Sequence, residues 1–552
     1  MPFDGLVTRK VCEEYNEKIL YGKIDKIIQP SKDEVVLFIR NNRTTYKLLL
    51  CINAQNARSH LTKNTSIINP SKPFNFCMVL RKYLLGAKLV SVSQIDNDRI
   101  INFTFENSNE LGDKETKTLI IEIMGKHSNI ILTTKKGTIV DSIKHVDFEM
   151  SSVREVMPGR QYILPLNKGK VNPFNITEED FYTLISKKHS LSDNFSGLSS
   201  LLNEKQELYN YAAFTDFLKQ KSEAVICLNN SEIKDFYFTS LKITDTEKSY
   251  DSISDAIDIF YDEKLKTQKI NNKKNTLLSA VNSNIYKVQK KLSIAEEKIS
   301  TTTDMDLLKK YGELLQSNLY KITPFSKEVT VEDYYNNCAP LTIKLDPSLT
   351  ASQNIQKIFK KYTKLKNTLL ACSSQKEQLQ TSLKYLESLI FEIQFQTNIE
   401  NLEEIEEELS QEGFIKIQKS KKACVKSTFL QFNYMNFIIY VGKNNIQNDK
   451  LTFSVAHKSD IWFHAKNVPG AHTILKTNNV ATVPQDVLEF AASLAAFYSK
   501  LSSSPKVDID YTEVRNVKKI PGAKPGMVIY ENYKTIYIKP NDGQTFSYQS
   551  QQ

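Results

Sequence analysis

The sequence predicts an α+β multidomain protein in which two α+β end domains are separated by a small helical module and a long antiparallel coiled-coil hairpin. Three observations lead to this expectation. The 552 residues exceed what a single hydrophobic core normally serves. Strand-like alternation of apolar residues occurs near both ends of the chain, and apolar residues with heptad spacing fill the middle.

The composition excludes several classes of protein. A hydrophobic share of 40% with only 16 Gly and 16 Pro argues against collagenous or wholly disordered chains. The seven cysteines are scattered and never spaced C-x-x-C, so neither a disulfide framework nor a zinc ribbon fits. Without a signal-like start or a long apolar run, we expect a cytoplasmic protein that is not bound to a membrane. The net charge of +10 is compatible with a polyanionic partner.

The first α+β domain is predicted over 1–172. Apolar runs at 35–39, 100–105 and 119–123 have the composition of strands. Thr177 followed by Asp180 then resembles a capping box that opens a helix.

A short helical pattern covers 173–260. Within it, 195–202 combines a glycine turn with an apolar helix entry. Backbone N–H groups at such an entry can hold a phosphate. A plain helical connector is the other interpretation, and the residues alone favour it.

The hairpin is predicted over 261–428 from two heptad patterns. They are formed by Leu278, Val281, Ile285, Val288, Leu292, Ala295 and Ile299, and by Ile355, Ile358, Tyr362, Leu365, Leu369, Cys372, Leu379, Leu383, Leu386, Ile390 and Ile393, with Lys376 as the one break. Between them, a helix at 307–319 and alternation at 329–331 and 341–345 predict a small globular tip. A coiled coil between two chains is the competing interpretation.

The second α+β domain is predicted over 429–552. It begins with the strand-like run 437–442 and contains an amphipathic helix over 484–500, with Pro484 in its first turn.

Motifs for enzymatic chemistry are absent from the sequence. No segment has the phosphate-binding pattern G-x-x-x-x-G-K-[ST], and no pattern singles out a nucleophile, so we expect no catalytic residue and no cofactor. His457, His464 and His472 fall near Trp462 but lack metal-ligand spacing, so hydrogen-bonded histidines are favoured over a metal site. Pro2 could act as a secondary-amine nucleophile, as in bifunctional DNA glycosylases, but the zinc finger of those enzymes is absent.

Several strings together resemble the NFACT family over nearly the whole chain. At the N-terminal end they are MPFDGL (1–6), GKIDKIIQP (22–30), FCMVLRKYL (76–84) and EIMGKHSN (122–129). At the C-terminal end they are DIWFHAKNVPGAH (460–472), VRNVKK (514–519) and GAKPG (522–526). The resemblance implies an NFACT-N domain at 1–172, a helix-hairpin-helix-like module at 173–260, a coiled-coil hairpin with a tip insertion at 261–428 and an NFACT-R domain at 429–552.

The resemblance also implies a function in ribosome-associated quality control. Such proteins bind a large (50S) ribosomal subunit blocked by peptidyl-tRNA and bring in alanine tRNA, so that the nascent chain gains a C-terminal alanine tail without mRNA. The ribosome's own RNA forms the peptide bond, and the protein acts as an RNA-binding monomer with rRNA and tRNA as partners. A fibronectin-binding surface adhesin is the alternative, because the family has also carried that label.

Site residues follow from the same resemblance. Asp98 and Arg99 match the family's Asp-Arg motif for tRNA binding, although the bare sequence favours a strand-end salt bridge. The motif Glu122-Ile123-Met124 matches a second tRNA-binding motif, with Glu122 expected to be exposed. Further candidate RNA contacts are Lys126, His127, Trp462, His464, His472, Lys518 and Lys519. The lysines of the first hairpin helix, namely Lys273, Lys274, Lys287, Lys290, Lys291 and Lys298, either contact rRNA or only solubilise the arm.

Overall fold

The computed structural model describes residues 3–65, 67–108, 113–151, 153–166, 169–229, 232–242, 246–416, 428–478, 480 and 482–543. The chain divides into two compact units, 1–267 and 268–552. It is a mixed α/β protein with several sheets and very long helices. Pro2 lies outside the described residues, so the glycosylase alternative has no structural account.

The N-terminal unit is built on a nine-stranded antiparallel sheet with strand order β4-β3-β2-β1-β5-β6-β7-β8-β9. Two helices, α1 (Gly5–Lys18) and α2 (Asn75–Leu84), contribute to its core. The strands are β1 (Lys23–Ser31), β2 (Glu34–Asn41), β3 (Thr44–Cys51), β4 (Arg58–Leu61), β5 (Lys88–Gln94), β6 (Ile100–Ser108), β7 (Lys114–Glu122), β8 (Asn129–Thr134) and β9 (Ile139–Ser142). The three strands predicted from apolar alternation lie in β2, β6 and β7.

A smaller layer follows in the same unit. It holds α3 (Glu178–Lys187), α4 (Leu191–Asn194), α5 (Tyr211–Lys219) and the strands β10 (Ala224–Asn229), β11 (Glu232–Tyr237) and β12 (Thr246–Tyr250). Thr177 caps α3 by accepting from the amide of Asp180 at 3.3 Å, as predicted. The helical expectation is wrong for β10, β11 and β12, because the apolar run at 224–228, with the β-branched Val225 and Ile226, is buried as the central strand of a three-stranded sheet. Buried apolar residues between Phe181 and Tyr261 share one hydrophobic core with the nine-stranded sheet.

Two long helices dominate the middle of the chain. Helix α6 (Ile253–Ser300) crosses the boundary between the units, and α8 (Ala351–Phe395) begins at a capping box formed by Thr350 and Gln353. Lys376 on α8 forms an ion pair with Glu296 at 2.9 Å, and Lys274 donates to the Gln394 carbonyl at 2.8 Å. These contacts show that the helices run antiparallel, and the first explains the polar break in the heptads. Coiled-coil geometry stays a prediction.

The segment between them forms the small tip that the sequence predicts. It consists of α7 (Met305–Ser317) and a hairpin of β13 (Glu328–Asp333) and β14 (Ala339–Lys344), which share a hydrophobic cluster with the start of α8. Helix α9 (Ile399–Gln411) follows α8 and packs into a cluster that contains Leu277 of α6 and Leu389 of α8.

The C-terminal part carries a six-stranded antiparallel sheet with order β15-β16-β18-β17-β19-β22. Its helices are α10 (Asn445–Lys450) and α11 (Gln485–Phe497), and α11 packs on the sheet where a helix was predicted. The strands are β15 (Leu430–Tyr434), β16 (Phe437–Val441), β17 (Ile461–Ala465), β18 (Thr473–Leu475), β19 (Val507–Glu513) and β22 (Lys534–Ile538), with β20 (Val517–Lys518) and β21 (Ile529–Tyr530) as a separate pair.

Candidate nucleic-acid interface

The Asp98–Arg99 pair lies in the turn between β5 and β6. The amide of Asp98 donates to the carbonyl of Ile95 at 2.7 Å, which closes the turn. Both side chains are about one-third exposed, and the Arg99 Nε lies 3.9 Å from Asp98 Oδ1. This is the strand-end ion pair that the bare sequence favours, and Asp98 Oδ1 also accepts from the Arg99 backbone amide at 2.7 Å. No hydrogen bond ties the guanidinium to the described residues, so its N–H donors remain available.

Hydrogen bonds from neighbouring segments fix the position of this turn. Gln94 Nε2 donates to the carbonyls of Gly5 at 2.7 Å and Asp98 at 2.8 Å. Asn97 Nδ2 donates to the carbonyl of Ser196 at 3.0 Å. The residue just before the motif is thus fixed to the segment that follows α4, so the side chains of Asp98 and Arg99 project from a rigid base.

The segment 195–202 behaves as a structural connector. Its amides at Ser196 and Ser199 donate to the Val171 carbonyl at 2.9 Å and to Asp4 Oδ2 at 3.2 Å. Since these donors are already used inside the protein, the connector interpretation is confirmed for them. Burial raises the pKa of Asp4 to about 6, although hydrogen bonds from Val7, Tyr237 and Ser199 oppose the shift.

The expectation that Glu122 is exposed is wrong, because its side chain is fully buried. Arg154 donates to both carboxylate oxygens, at 2.9 Å to Oε1 and at close range to Oε2, and Tyr162 donates to Oε1 at 2.8 Å. Burial raises the pKa of Tyr162 far above its ordinary range, and the Glu122 carboxylate adds to the shift. Glu122 therefore fixes the end of β7 from inside.

The two motifs meet at one end of the sheet. The amide of Ile123 donates to the carbonyl of Arg99 at 2.9 Å, next to the pairing of Ile100 with Glu122 between β6 and β7. Ile123 is buried, whereas Met124 is partly exposed. Lys126 and His127 follow in an exposed 3-10 turn. The structure thus brings Asp98, Arg99, Met124 and the turn at 125–127 into one continuous region.

The candidates in the C-terminal domain divide into buried and exposed groups. Trp462 stacks on His464 at 5.5 Å between ring centroids and meets His472 edge-on at 5.2 Å. Trp462 and His472 are inside the core, so their side chains are closed to direct RNA contact. Burial lowers the pKa of His464 to about 4 and that of His472 to about 3, so both are neutral near pH 7.

Lys518 and Lys519 are the exposed candidates in this domain. Lys518 Nζ lies 3.3 Å from Glu531, and Lys519 forms a close ion pair with Asp449. Each lysine is exposed by 41% or more, so both ammonium groups remain accessible to phosphate.

Sequence reasoning missed Arg154 and Tyr162. They are 32 and 40 residues from Glu122 and belong to an irregular segment, so no periodicity connects them. Within the described ranges, no group of three or more His, Cys, Asp or Glu side chains is arranged to hold a metal ion. The helices in those ranges include none long and apolar enough to cross a bilayer.

Comparisons with known proteins cover nearly the whole length of the chain. Residues 4–428 match the NFACT N-terminal and middle domains, and residues 427–532 match the NFACT protein RNA binding domain. The chain is 36% identical over 553 residues to the Rqc2 homolog RqcH of Streptococcus pneumoniae, with 98% of each chain covered. It is 34% identical to the RqcH of Bacillus subtilis, again over 98% of each chain. A solved N-terminal part of the fibronectin/fibrinogen-binding protein of Streptococcus suis is 35% identical over 47% of this chain and 99% of its own, with a TM-score of 0.44. The chain belongs to the NFACT family.

Proposed function

We propose that this protein is a ribosome-associated quality control factor that binds obstructed large ribosomal subunits carrying peptidyl-tRNA. It recruits alanine tRNA there, so that stalled nascent chains receive C-terminal alanine tails without mRNA. The similarity to RqcH proteins over nearly the full length supports the pathway. The protein serves as a non-catalytic RNA-binding factor, and the ribosome forms the peptide bonds.

The observation that carries this proposal is the hydrogen bond from the Ile123 amide to the Arg99 carbonyl at 2.9 Å. This bond joins the Asp98–Arg99 turn to the Glu122-Ile123-Met124 segment, so the two motifs lie side by side although they are more than twenty positions apart in the sequence. Arg99 supplies guanidinium donors that make no hydrogen bond to the described residues, and Met124 supplies an accessible apolar contact. Such a combination suits an unstacked RNA loop, which proteins read by hydrogen bonds and stacking. Lys126 and His127 extend the surface toward the phosphates.

The proposed division of labour uses four parts of the chain. The NFACT-N domain (1–172) contacts tRNA, the module at 173–260 supports its Asp98–Arg99 turn, and the coiled-coil hairpin (261–428) reaches along the subunit. The NFACT-R domain (429–552) contributes Lys518 and Lys519 to RNA binding. The protein acts as a monomer on the ribosome, in the cytoplasm.

The decisive experiment compares wild type with Asp98→Ala/Arg99→Ala in sucrose-gradient sedimentation, tRNA co-purification and detection of alanine tails. We expect the variant to sediment with large subunits but to lose tRNA and tailing. Glu155→Ala/Arg160→Ala removes another acid–arginine pair of the same unit, with its atoms 3.1 Å apart, and should behave as wild type. Unchanged tailing in the first variant would overturn the site. A wild-type protein found only at the cell surface would favour the adhesin alternative.

A further inference from the structure

A cavity of about 440 Å³ lies within the C-terminal unit, where α8 ends and α9 begins. Its other wall comes from the RNA-binding domain, including Gly442, Lys443 and Gly470. The exposed residues Thr397 and Asn398 stand among its lining, so the cavity opens to solvent on that side. Its size is in the range of small-molecule sites, and neither tRNA motif lies in this unit.

One wall of the cavity is aromatic. Phe395 meets Tyr498 edge-on with 5.3 Å between ring centroids, and Phe497 at 6.2 Å. Phe391 adds a fourth ring, 5.8 Å from Phe395. Phe395 remains 36% exposed, which leaves a ring surface available for a flat ligand to stack on.

A buried acid also lines the cavity. The side chain of Glu392 is 7% exposed and has no cationic partner among the described residues. Its Oε2 accepts from the Asn445 amide at 3.3 Å, and no donor in the described ranges reaches Oε1. Burial, reinforced by the neighbouring Glu408, raises the pKa of Glu392 well above its ordinary value. A ligand with hydrogen-bond donors would satisfy the acceptor atoms of this buried acid and so bind favourably beside it.

Asn401 provides an independent indication of a ligand. It is 4% exposed and lines the same cavity, yet its side-chain amide has no hydrogen-bond partner in the described part of the chain. Buried amides are normally satisfied, so an unpartnered one on a cavity wall indicates a polar ligand. Its oxygen can accept and its NH₂ group can donate.

The cavity also offers groups for an anion. The side chain of Asn398, at the N-cap of α9, makes no capping hydrogen bond, so the first-turn amides of this 13-residue helix stay available. Lys443 lines the cavity and has no ion-pair partner among the described residues. Glu400 is on the same helical turn, but it is exposed and does not line the cavity.

We propose that this cavity binds a nucleoside monophosphate unit with a guanine base. The base stacks on the aromatic wall, and its N1–H and N2–H₂ donors meet Glu392 and Asn401, while the Asn401 NH₂ group donates to O6. The phosphate lies at Lys443 and the start of α9. The nucleotide is either free or an unpaired residue of an RNA strand, and only the RNA source rests on the proposed function.

Isothermal titration of the full-length protein with GMP, AMP, CMP and UMP tests this proposal. We expect saturable binding of GMP and affinity for AMP weaker on the order of tenfold, because adenine lacks the N1–H and N2–H₂ donors. Glu392→Gln should weaken GMP binding by a similar factor and reduce the preference over AMP. Phe395→Ala should weaken all four nucleotides alike.

Two matched variants separate the site from general stability. Glu407→Gln removes an exposed acid of α9 that does not line the cavity, and Phe325→Ala removes an exposed ring in the tip. Both should bind GMP as wild type does, with thermal unfolding confirming that every variant folds. If Glu392→Gln fails to fold, the nucleotide affinities of Phe395→Ala test the proposal in its place. Absence of saturable GMP binding, or equal binding by wild type and the cavity variants, would overturn the proposal.

A short single-stranded RNA distinguishes the two sources of the nucleotide. If an oligonucleotide with one central guanine binds more tightly than GMP and competes with it, the site reads RNA. If only GMP binds, the site takes a free nucleotide. Sucrose-gradient sedimentation of Glu392→Gln keeps this proposal apart from the ribosomal function. Loss of GMP binding with intact subunit association shows an independent site, and failure of wild-type association would count against the proposed function alone.

Discussion

The backbone amide of Gly5 donates a hydrogen bond to the carbonyl of Gly197 at 2.6 Å, which joins the start of α1 to the segment after α4. The carbonyl oxygen of Asn97 lies against both glycines. A Cβ atom on Gly5 would come within 2.0 Å of that oxygen, and one on Gly197 within 1.8 Å. Because Asn97 precedes the Asp98–Arg99 motif directly, this junction sets where the motif lies.

Gly197→Ala should therefore destabilise the N-terminal unit and displace the motif. Gly197 has a φ of +70°, which costs about 1–2 kcal/mol for a side-chain residue, and the backbone clash adds about 1–3 kcal/mol. Urea unfolding measures the change in the free energy of unfolding. Gly86→Ala is the control, since its φ is +78° and nothing lies near its missing Cβ. Equal losses in the two variants would show that the junction does not constrain the turn.

Arg154→Ala should cost about 3–5 kcal/mol, because it leaves the fully buried Glu122 carboxylate without its cation. The double variant Glu122→Gln/Arg154→Ala should recover part of that loss, which urea unfolding of a double-mutant cycle can measure. Arg160→Ala removes a guanidinium that is 65% exposed and should change stability little. Additive losses in the cycle would mean that the two side chains do not act as a pair.

Sequence reasoning succeeded where a short repeat carries the information. The alternation at 100–105 predicts β6 because every second residue faces the core, and the heptads predict α6 and α8 for the corresponding reason at helical spacing. The fold of the tip also follows from such local patterns. The helical prediction is wrong for β10, β11 and β12, because a buried five-residue apolar run does not distinguish a strand from a short helix.

The candidate site was predictable only in part. Family resemblance identified Asp98 and Arg99, and the structure places them beside the second motif through the Arg99 carbonyl. The burial of Glu122 was not predictable, since Arg154 and Tyr162 approach it from an irregular segment whose path no local pattern sets. The same holds for Trp462, which sits on a central strand with its ring inside the core.

The stability of the C-terminal unit should fall as pH rises toward 7. Glu408 is 1% exposed and accepts from the Tyr385 hydroxyl at 2.5 Å. Burial raises its pKa from 4.5 to about 7. The charged and titratable groups around it are Tyr385 and Glu392 of α8, Glu412, which follows α9, and Asp449 of α10. Glu412 forms an ion pair with Lys524, and Asp449 forms one with Lys519.

The sign follows from the raised pKa. The folded state binds a proton that the unfolded state has already released, so this contribution is complete below pH 4.5 and is lost as pH rises through about 7. The shift corresponds to about 3 kcal/mol. Urea unfolding between pH 5 and pH 8 should show a smaller decline in Glu408→Gln than in wild type, whereas Glu407→Gln, an exposed neighbour, should leave the decline unchanged. An identical decline in all three proteins would exclude Glu408 as the cause.

The lysines of α6 allow a salt-dependence test of the proposed arm. Lys273 forms an ion pair with Glu406 at 2.5 Å, and Lys274 donates to the Gln394 carbonyl. The other four, Lys287, Lys290, Lys291 and Lys298, are exposed and without an ion-pair partner among the described residues. If the arm contacts rRNA, these four are the side chains able to reach phosphate.

Changing those four lysines to glutamate should weaken binding to the large subunit and flatten its dependence on salt. Each lost phosphate contact lowers the slope of log K against log salt by about 0.7–0.9, so the change in slope shows how many of the four lysines reach RNA.

Lys273→Glu/Lys274→Glu is the matched control. This variant should lower the stability of the helix pair, because it breaks internal contacts, but it should leave the slope of log K against log salt unchanged. Sucrose gradients at several salt concentrations give the affinity for the large subunit and its salt slope, and urea unfolding gives the stability. A slope unchanged in the fourfold variant would show that these lysines only solvate the helix, because a charge that meets no phosphate displaces no counterion from the RNA.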